Sequence, residues 1–147
     1  MAELQASSKA SVVDMTAAMT AATARPLTRG GNWFFITTRK IWSAQGVIGL
    51  EIIEQLPDVD EIYVPIGGGG LASGVLTAVK AKNPNVKIIG VQSKSFPSMK
   101  NSLDSGKVQT VDGGFTVADG ISVKTPGTQT FEIIKDGIDE IVLVDDD

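Results

Sequence analysis

The chain has 147 residues, about one domain's length, with 42% apolar residues, a formal charge of −4 and neither cysteine nor histidine. That excludes disulfides, thiolate nucleophiles, Ser-His-Asp triads and Cys/His zinc sites, and leaves Lys, Ser, Asp/Glu, backbone amides or a bound cofactor to carry any chemistry. The acids are spread thinly apart from Asp145-Asp146-Asp147, and no apolar run makes a signal-peptide core or approaches the roughly 20 residues of a membrane span, so neither nucleic acid nor membrane is an expected partner and the expected compartment is cytoplasmic.

Met1 to Arg29 is rich in Ala, Ser and Thr, and Met15 and Met19 at helical spacing predict one or two short helices stopped by Pro26. Glu3 and Asp14 count against a transit peptide. After the break at Gly30-Gly31, Asn32 to Thr38, with Trp33, Phe34, Phe35 and Ile36 adjacent, predicts a buried strand, and Trp33 and Trp42 are expected in the core. From Ser43 the pattern is regular: Val47, Leu50, Ile53 and Leu56 predict an amphipathic helix closed by Pro57. Ile62 to Ile66 predicts a strand. Leu71 to Lys82, with Leu71, Val75, Leu76 and Val79 on one face, predicts a helix that Asn83-Pro84-Asn85 ends.

Lys87 to Val91 predicts the next strand, which makes a right-handed β-α-β unit with the preceding pair. Pro97 to Ser105 predicts a short helix capped by Gly106, and Val108 to Val111 a short strand. A loop then runs from Asp112-Gly113-Gly114 through Asp119-Gly120 to Pro126-Gly127. Thr128 is expected to cap a helix carrying Phe131, Ile133 and Ile134, with Glu140 to Val144 as the last strand. Strands alternating with helices indicate an open, mostly parallel, three-layer α/β sheet.

The stretch around which this pattern turns is Val64-Pro-Ile-Gly-Gly-Gly-Gly-Leu-Ala-Ser-Gly74. A tight turn needs one or two glycines, and four in a row exceed it. Between a strand and a helix N-terminus, four residues without Cβ let main-chain N–H groups converge on an anion, most often a phosphate. Gly67, Gly69 and Ala72 fit G-x-G-x-x-A, yet the next strand ends in Gln92-Ser93 rather than the acidic residue of a dinucleotide site. No Gly-Lys-Ser/Thr follows, which disfavours a P-loop.

Five segments occur in an order and spacing that resemble the threonine/serine dehydratases of the tryptophan-synthase-β-like, fold-type-II pyridoxal-phosphate enzymes. They are Ser43-Ala-Gln-Gly-Val-Ile-Gly-Leu-Glu-Ile52, Val64-Pro-Ile-Gly-Gly-Gly-Gly-Leu71, Ile89-Gly-Val-Gln-Ser93, Ala118-Asp-Gly-Ile-Ser-Val123 and Asp139-Glu-Ile-Val-Leu-Val144. The resemblance covers about residues 43–147 and implies part of that family's large, cofactor-binding domain, with residues 1–42 an atypical N-terminal segment. It implies pyridoxal 5'-phosphate as cofactor, its phosphate gripped by the amides of Gly67, Gly68, Gly69, Gly70 and Leu71, and a segment through Gly120 passing close to cofactor and substrate. Metal-binding members carry an acidic residue where Gln92 stands, so no metal is expected.

The family's Schiff-base lysine lies in a Ser-Phe-Lys-x-Arg-Gly segment and its substrate-carboxylate loop in a Ser-Ser-Gly-Asn-His-type segment; neither occurs here. Thr37-Thr-Arg-Lys-Ile41 replaces the usual acidic/proline run, and the chain stops at Asp147, before the segment that partners the pyridine nitrogen. The expectation is a threonine/serine dehydratase-like lyase fragment, inactive alone, with no catalytic residue of its own. A working enzyme completed by another chain, acting on a small amino acid, and a non-catalytic anion-binding or oligomerising module are the alternatives. Lys94, just past a strand end, is the one lysine to test for catalysis; Lys80, Lys82 and Lys135 read as solvated. Ser73 and Ser93 are candidates for a phosphate bond, packing or a cap. Uncovered apolar surface predicts a homo-oligomer.

Overall fold

The computed structural model describes residues 10–12 and 39–146, with side chains from Ala44 onward. Its strands are β1 (Ala10–Val12), β2 (Glu61–Pro65), β3 (Lys87–Ser93) and β4 (Glu140–Val144), all parallel and hydrogen-bonded in that order. Its helices are α1 (Arg39–Gln55), α2 (Gly70–Lys82), α3 (Ser98–Ser105) and α4 (Thr128–Gly137), and Asp119–Ile121 makes one 3-10 turn. The fold is an open parallel α/β sheet, as its alternating strands and helices predict.

In β2 the period of two buries Ile62 and Val64 and leaves Glu61, Tyr63 and Pro65 half-buried. Register sets Ile62 beside Ile88 and Val64 beside Gly90, so the buried residues of both strands share a face. Val75 and Val79 of α2 and Phe131 and Ile134 of α4 fill that face with Ile66 into one core, each buried aliphatic contributing about 1.5–3 kcal/mol of transfer energy. Helix α1 packs on α2, α2 on α4, and α4 on α3, so the four described helices lie side by side. Both crossovers from β2 to β4 step the same way across the sheet, which is why α2 and α4 share a side.

Helix α1 begins at Arg39 rather than Ser43, and of the expected inner face Ile53 and, just past its end, Leu56 pack against the core while Val47 and Leu50 do not. Val47 is 50% and Leu50 39% exposed, while Ile48, Ile52, Ile53 and Leu56 pack against the core. The cause is glycine. A Cβ on Gly49 would lie 2.9 Å from Val79 Cγ2 and 3.1 Å from Val75 O, and one on Gly46 would lie 3.2 Å from Gly74 O. Bare backbone lets the two helices approach, and that stripe, invisible to a count of apolar side chains, faces inward.

Further differences are local. Ala10–Val12 is a strand beside β2 where short helices were expected; the expected strand Asn32–Thr38, with Trp33, lies outside the described residues, and only the backbone of Trp42 is described. Val108–Val111 forms no strand: among the described residues a single backbone–backbone bond, from Val111 N–H to Lys124 O at 3.0 Å, joins it to a neighbouring segment, and Gln109 N–H goes instead to Ser102 Oγ at 2.8 Å. Strand β3 runs on through Gln92 and Ser93. Gly106, at φ 73°, closes α3 in the left-handed conformation, as expected.

At the amino edge of the sheet, Asp139 joins three elements. Its Oδ2 accepts from Ile88 N–H at 2.7 Å and from Lys80 Nζ at 2.8 Å, and its own N–H donates to Ile88 O at 3.1 Å. Partial burial opposes ionisation of this carboxyl, but the Lys80 bond, the Ile88 N–H and the charges of Lys80 and Lys87 outweigh it and hold the pKa below its usual value.

Candidate anion site at the glycine loop

Strand β2 leaves the ladder at its carboxyl end: Ile66 N–H still bonds Val91 O at 2.8 Å, and the chain then enters Gly67. Gly69 turns it with φ 92°, a left-handed conformation that costs any residue with a Cβ about 1–2 kcal/mol. A Cβ there would also sit 2.8 Å from Met99 Cε and 2.9 Å from Ile134 Cδ1 and Thr130 Cβ. At Gly67 a Cβ would lie 3.1 Å from both Ile121 Cα and Val123 Cγ2, so the turn Asp119–Ile121 closes against the loop. A Cβ on Gly68 would meet nothing within 4 Å and would project into open space.

Three carbonyls of this stretch are engaged. Ile66 O accepts from Gln92 Nε2 at 3.4 Å; Gly68 O accepts from Thr130 Oγ1 at 2.6 Å and Gly127 N–H at 3.2 Å; Gly69 O accepts from Ser73 N–H at 2.9 Å. The bond to Ser73 is the first of α2, so the N–H groups of Gly70, Leu71 and Ala72 precede the helical ladder. Among the described residues, no backbone carbonyl takes a bond from the N–H of Gly67, Gly68, Gly69, Gly70, Leu71 or Ala72. Six consecutive donors at the positive end of a helix, beside open space at Gly68, fit a phosphate.

The remaining sequence candidates fall around or away from this cradle. Gly120 is exposed in the turn whose Ile121 touches Gly67. Ser73 is buried one turn into α2, its Oγ donating to Thr130 O at 3.4 Å, so it packs rather than faces the loop. Ser93 Oγ accepts from Ser95 N–H at 3.2 Å, which makes it a local cap for the turn after β3. Lys94 Nζ bonds Asp145 Oδ2 at 2.9 Å; that bond, then the carboxylate's charge, raises its pKa and keeps it protonated, the reverse of what a nucleophilic amine requires. Lys80 is paired at the opposite edge with Asp139, and Lys135 Nζ stands 5.8 Å from the Phe131 ring centre.

Thr128 does not cap α4. The cap is Gly127, with no side-chain bond, and the hydroxyl that works there is that of Thr130, which donates to Gly127 O at 2.9 Å as well as to Gly68 O. Thr130 and Gln92, both fully buried, are the functional neighbours that the sequence pattern missed. Gln92 spends its amide on the protein: Nε2 goes to Ile66 O, and Oε1 accepts from Lys100 N–H at 3.0 Å in the first turn of α3. Among the described residues no group of three or more His, Cys, Asp or Glu is placed to hold a metal, and no helix is long and apolar enough to cross a membrane.

The fold is an open parallel sheet with the glycine loop at the carboxyl end of β2, the edge where such sheets bind ligands. Residues 4–147 match the family model of pyridoxal-phosphate dependent enzymes, and the chain belongs to that family. It is 54% identical over 105 residues to an L-threonine ammonia-lyase of Thermotoga maritima, covering 71% of this chain and 26% of that protein. It is 48% identical over 108 residues to a catabolic L-threonine dehydratase of Escherichia coli, covering 74% of this chain and 33% of the other. Among solved structures it superposes on maize serine racemase with a TM-score of 0.72 at 38% identity, covering 75% of this chain and 33% of that one. Threonine deaminase isoform 2 of Solanum lycopersicum gives a TM-score of 0.70 at 42% identity, with 71% and 31% covered. The chain thus spans about a quarter to a third of the length of these relatives.

Proposed function

We propose that residues 43–147 are the cofactor-phosphate-gripping part of a threonine/serine dehydratase-like lyase, and that this chain by itself binds pyridoxal phosphate without turning over an amino acid. The observation that carries the reading is the row of six N–H groups from Gly67 to Ala72, at the carboxyl edge, that have no backbone partner among the described residues. In this reading the amides of Gly67, Gly68, Gly69, Gly70 and Leu71 hold the phosphate, and the turn through Gly120 bounds the ligand on one side. Bound pyridoxal phosphate supplies an electron sink for an amino-acid substrate. The chain's own contribution is to bind and orient that group; its sequence lacks the Ser-Phe-Lys-x-Arg-Gly segment for covalent attachment, and Lys94 is held protonated by Asp145. The compartment that goes with this reading is the cytosol.

The test is to titrate the protein with pyridoxal phosphate in the presence and absence of inorganic phosphate, then reduce with borohydride, search for a modified lysine by mass spectrometry, and assay 2-oxobutyrate from threonine. The expected result is binding that phosphate competes away, with no lysine adduct and no 2-oxobutyrate. A lysine adduct with turnover contradicts it and indicates a working enzyme; absence of binding contradicts the cradle. A second reading, a homo-oligomerising module, is favoured by Phe115 and Val117, which are 81% and 72% exposed on one loop, with Leu143 and Val144 exposed at the end of β4. Sedimentation at several concentrations decides it, since a monomer throughout contradicts self-association.

A further inference from the structure

The direction of an amide cradle is fixed by where its carbonyls go. In a planar trans peptide the C=O and the following N–H point opposite ways, so capturing an oxygen on one side presents the next N–H on the other. Gly68 O is the carbonyl of the peptide whose N–H belongs to Gly69, and it is held twice: by Thr130 Oγ1 at 2.6 Å and by Gly127 N–H at 3.2 Å. Thr130 is fully buried, comes from α4, and lies 62 positions along the chain from Gly68. Glycine has the widest conformational range of any residue, and Gly68 has no packing contact at its Cβ position to fix it. The Thr130 hydroxyl, with the shorter of the two bonds, therefore fixes this peptide plane together with the Gly127 N–H.

We propose that Thr130 is a positioning residue for the anion cradle: by holding the Gly68 carbonyl it turns the Gly69 N–H toward the ligand. Thr130 touches no ligand and acts through the loop. A threonine is suited to this because its Cβ packs at the bare face of Gly69, where an added Cβ would come within 2.9 Å of it, while its hydroxyl reaches the neighbouring carbonyl. The inference rests on the phosphate-cradle reading above, and its test separates the two.

Inorganic phosphate is titrated calorimetrically into the full chain and its Thr130→Val and Thr130→Ser variants, and the Gly69 amide resonance of each is recorded without ligand. Thr130→Val, similar in volume but without the hydroxyl, is expected to bind phosphate about tenfold more weakly, the size of one net hydrogen bond, and to shift the ligand-free Gly69 amide. Thr130→Ser keeps the hydroxyl and is expected to retain wild-type affinity and an unshifted Gly69 amide. Wild-type affinity in folded Thr130→Val overturns the proposal. So does a weakened Thr130→Ser, which also serves as the deciding variant should Thr130→Val not fold. If wild-type protein binds no phosphate, the cradle reading fails, and the role of Thr130 is decided by the ligand-free Gly69 resonance: unmoved in Thr130→Val, it overturns the proposal as well; moved, it supports a hydroxyl that sets the loop.

Discussion

The two edges of the sheet handle their backbone polar groups in opposite ways. At the amino edge Asp139 receives the Ile88 N–H and the Lys80 ammonium, and Lys87 bridges to Glu61 at 3.3 Å, so donors and acceptors are matched within the protein. At the carboxyl edge of β2 the carbonyls of Ile66, Gly68 and Gly69 are bonded, while the N–H groups from Gly67 to Ala72 have no backbone partner among the described residues. Among the described residues the amino-edge groups named here are paired with one another, whereas the loop carries six N–H groups without a backbone partner and one such carbonyl, that of Gly67. That asymmetry is the physical content of a binding edge: a site needs surplus donors, and a structural edge needs none.

The sharpest way to break this contrast is at Gly69. Gly69→Ala combines the left-handed penalty with contacts of 2.8–2.9 Å to Met99, Ile134 and Thr130, and is expected to cost about 2–4 kcal/mol in denaturant unfolding and to lose phosphate binding. Asp139→Ala is expected to cost less, about 1–2 kcal/mol after allowing for the exposure of its ion pair, and to leave phosphate affinity as it was because the damage is at the opposite edge. Its pH dependence sharpens the point. The folded pKa of Asp139 is depressed, so its contribution is present above the unfolded value, about 3.9, and is lost as pH falls through the lower folded pKa. Thermal midpoints of wild type and Asp139→Ala should therefore differ near neutrality and converge below about pH 4; a constant gap down to acid pH contradicts this role.

Gly68→Ala divides the two properties. With open space at its Cβ and no positive φ, the variant should change stability by no more than about 0.5 kcal/mol, yet its methyl enters the space beside the donors and should weaken phosphate binding. Unchanged affinity would show that the ligand lies elsewhere. Lys94→Ala is expected to have the smallest effect, leaving both the thermal midpoint and phosphate affinity at wild-type values, because its partner Asp145 is likewise exposed.

Much of this arrangement is readable in the amino-acid order. The alternation in Ile62 to Ile66, the helical face of Val75, Leu76 and Val79, and the four glycines between them define a strand, a helix and the loop joining them, all local features of period two or 3.6. What escaped reading is non-local. Val47 and Leu50 look like the inner face of α1, but the contact is made by Gly46 and Gly49, whose role appears only once α2 is beside them. Thr130 looks like an ordinary helix residue, and its bond to Gly68 O spans most of the domain. Gln92 reads as a strand end, yet it is buried within β3 and joins the loop to α3.

The most direct measurement of the central claim is a titration of isotopically labelled protein with inorganic phosphate, followed through backbone amide resonances. Saturable shifts confined to Gly67 through Ala72, with Ile88 and Asp139 at the amino edge unmoved, are the predicted result. Loop amides that stay fixed while phosphate is added, or shifts spread equally over both edges, would contradict it.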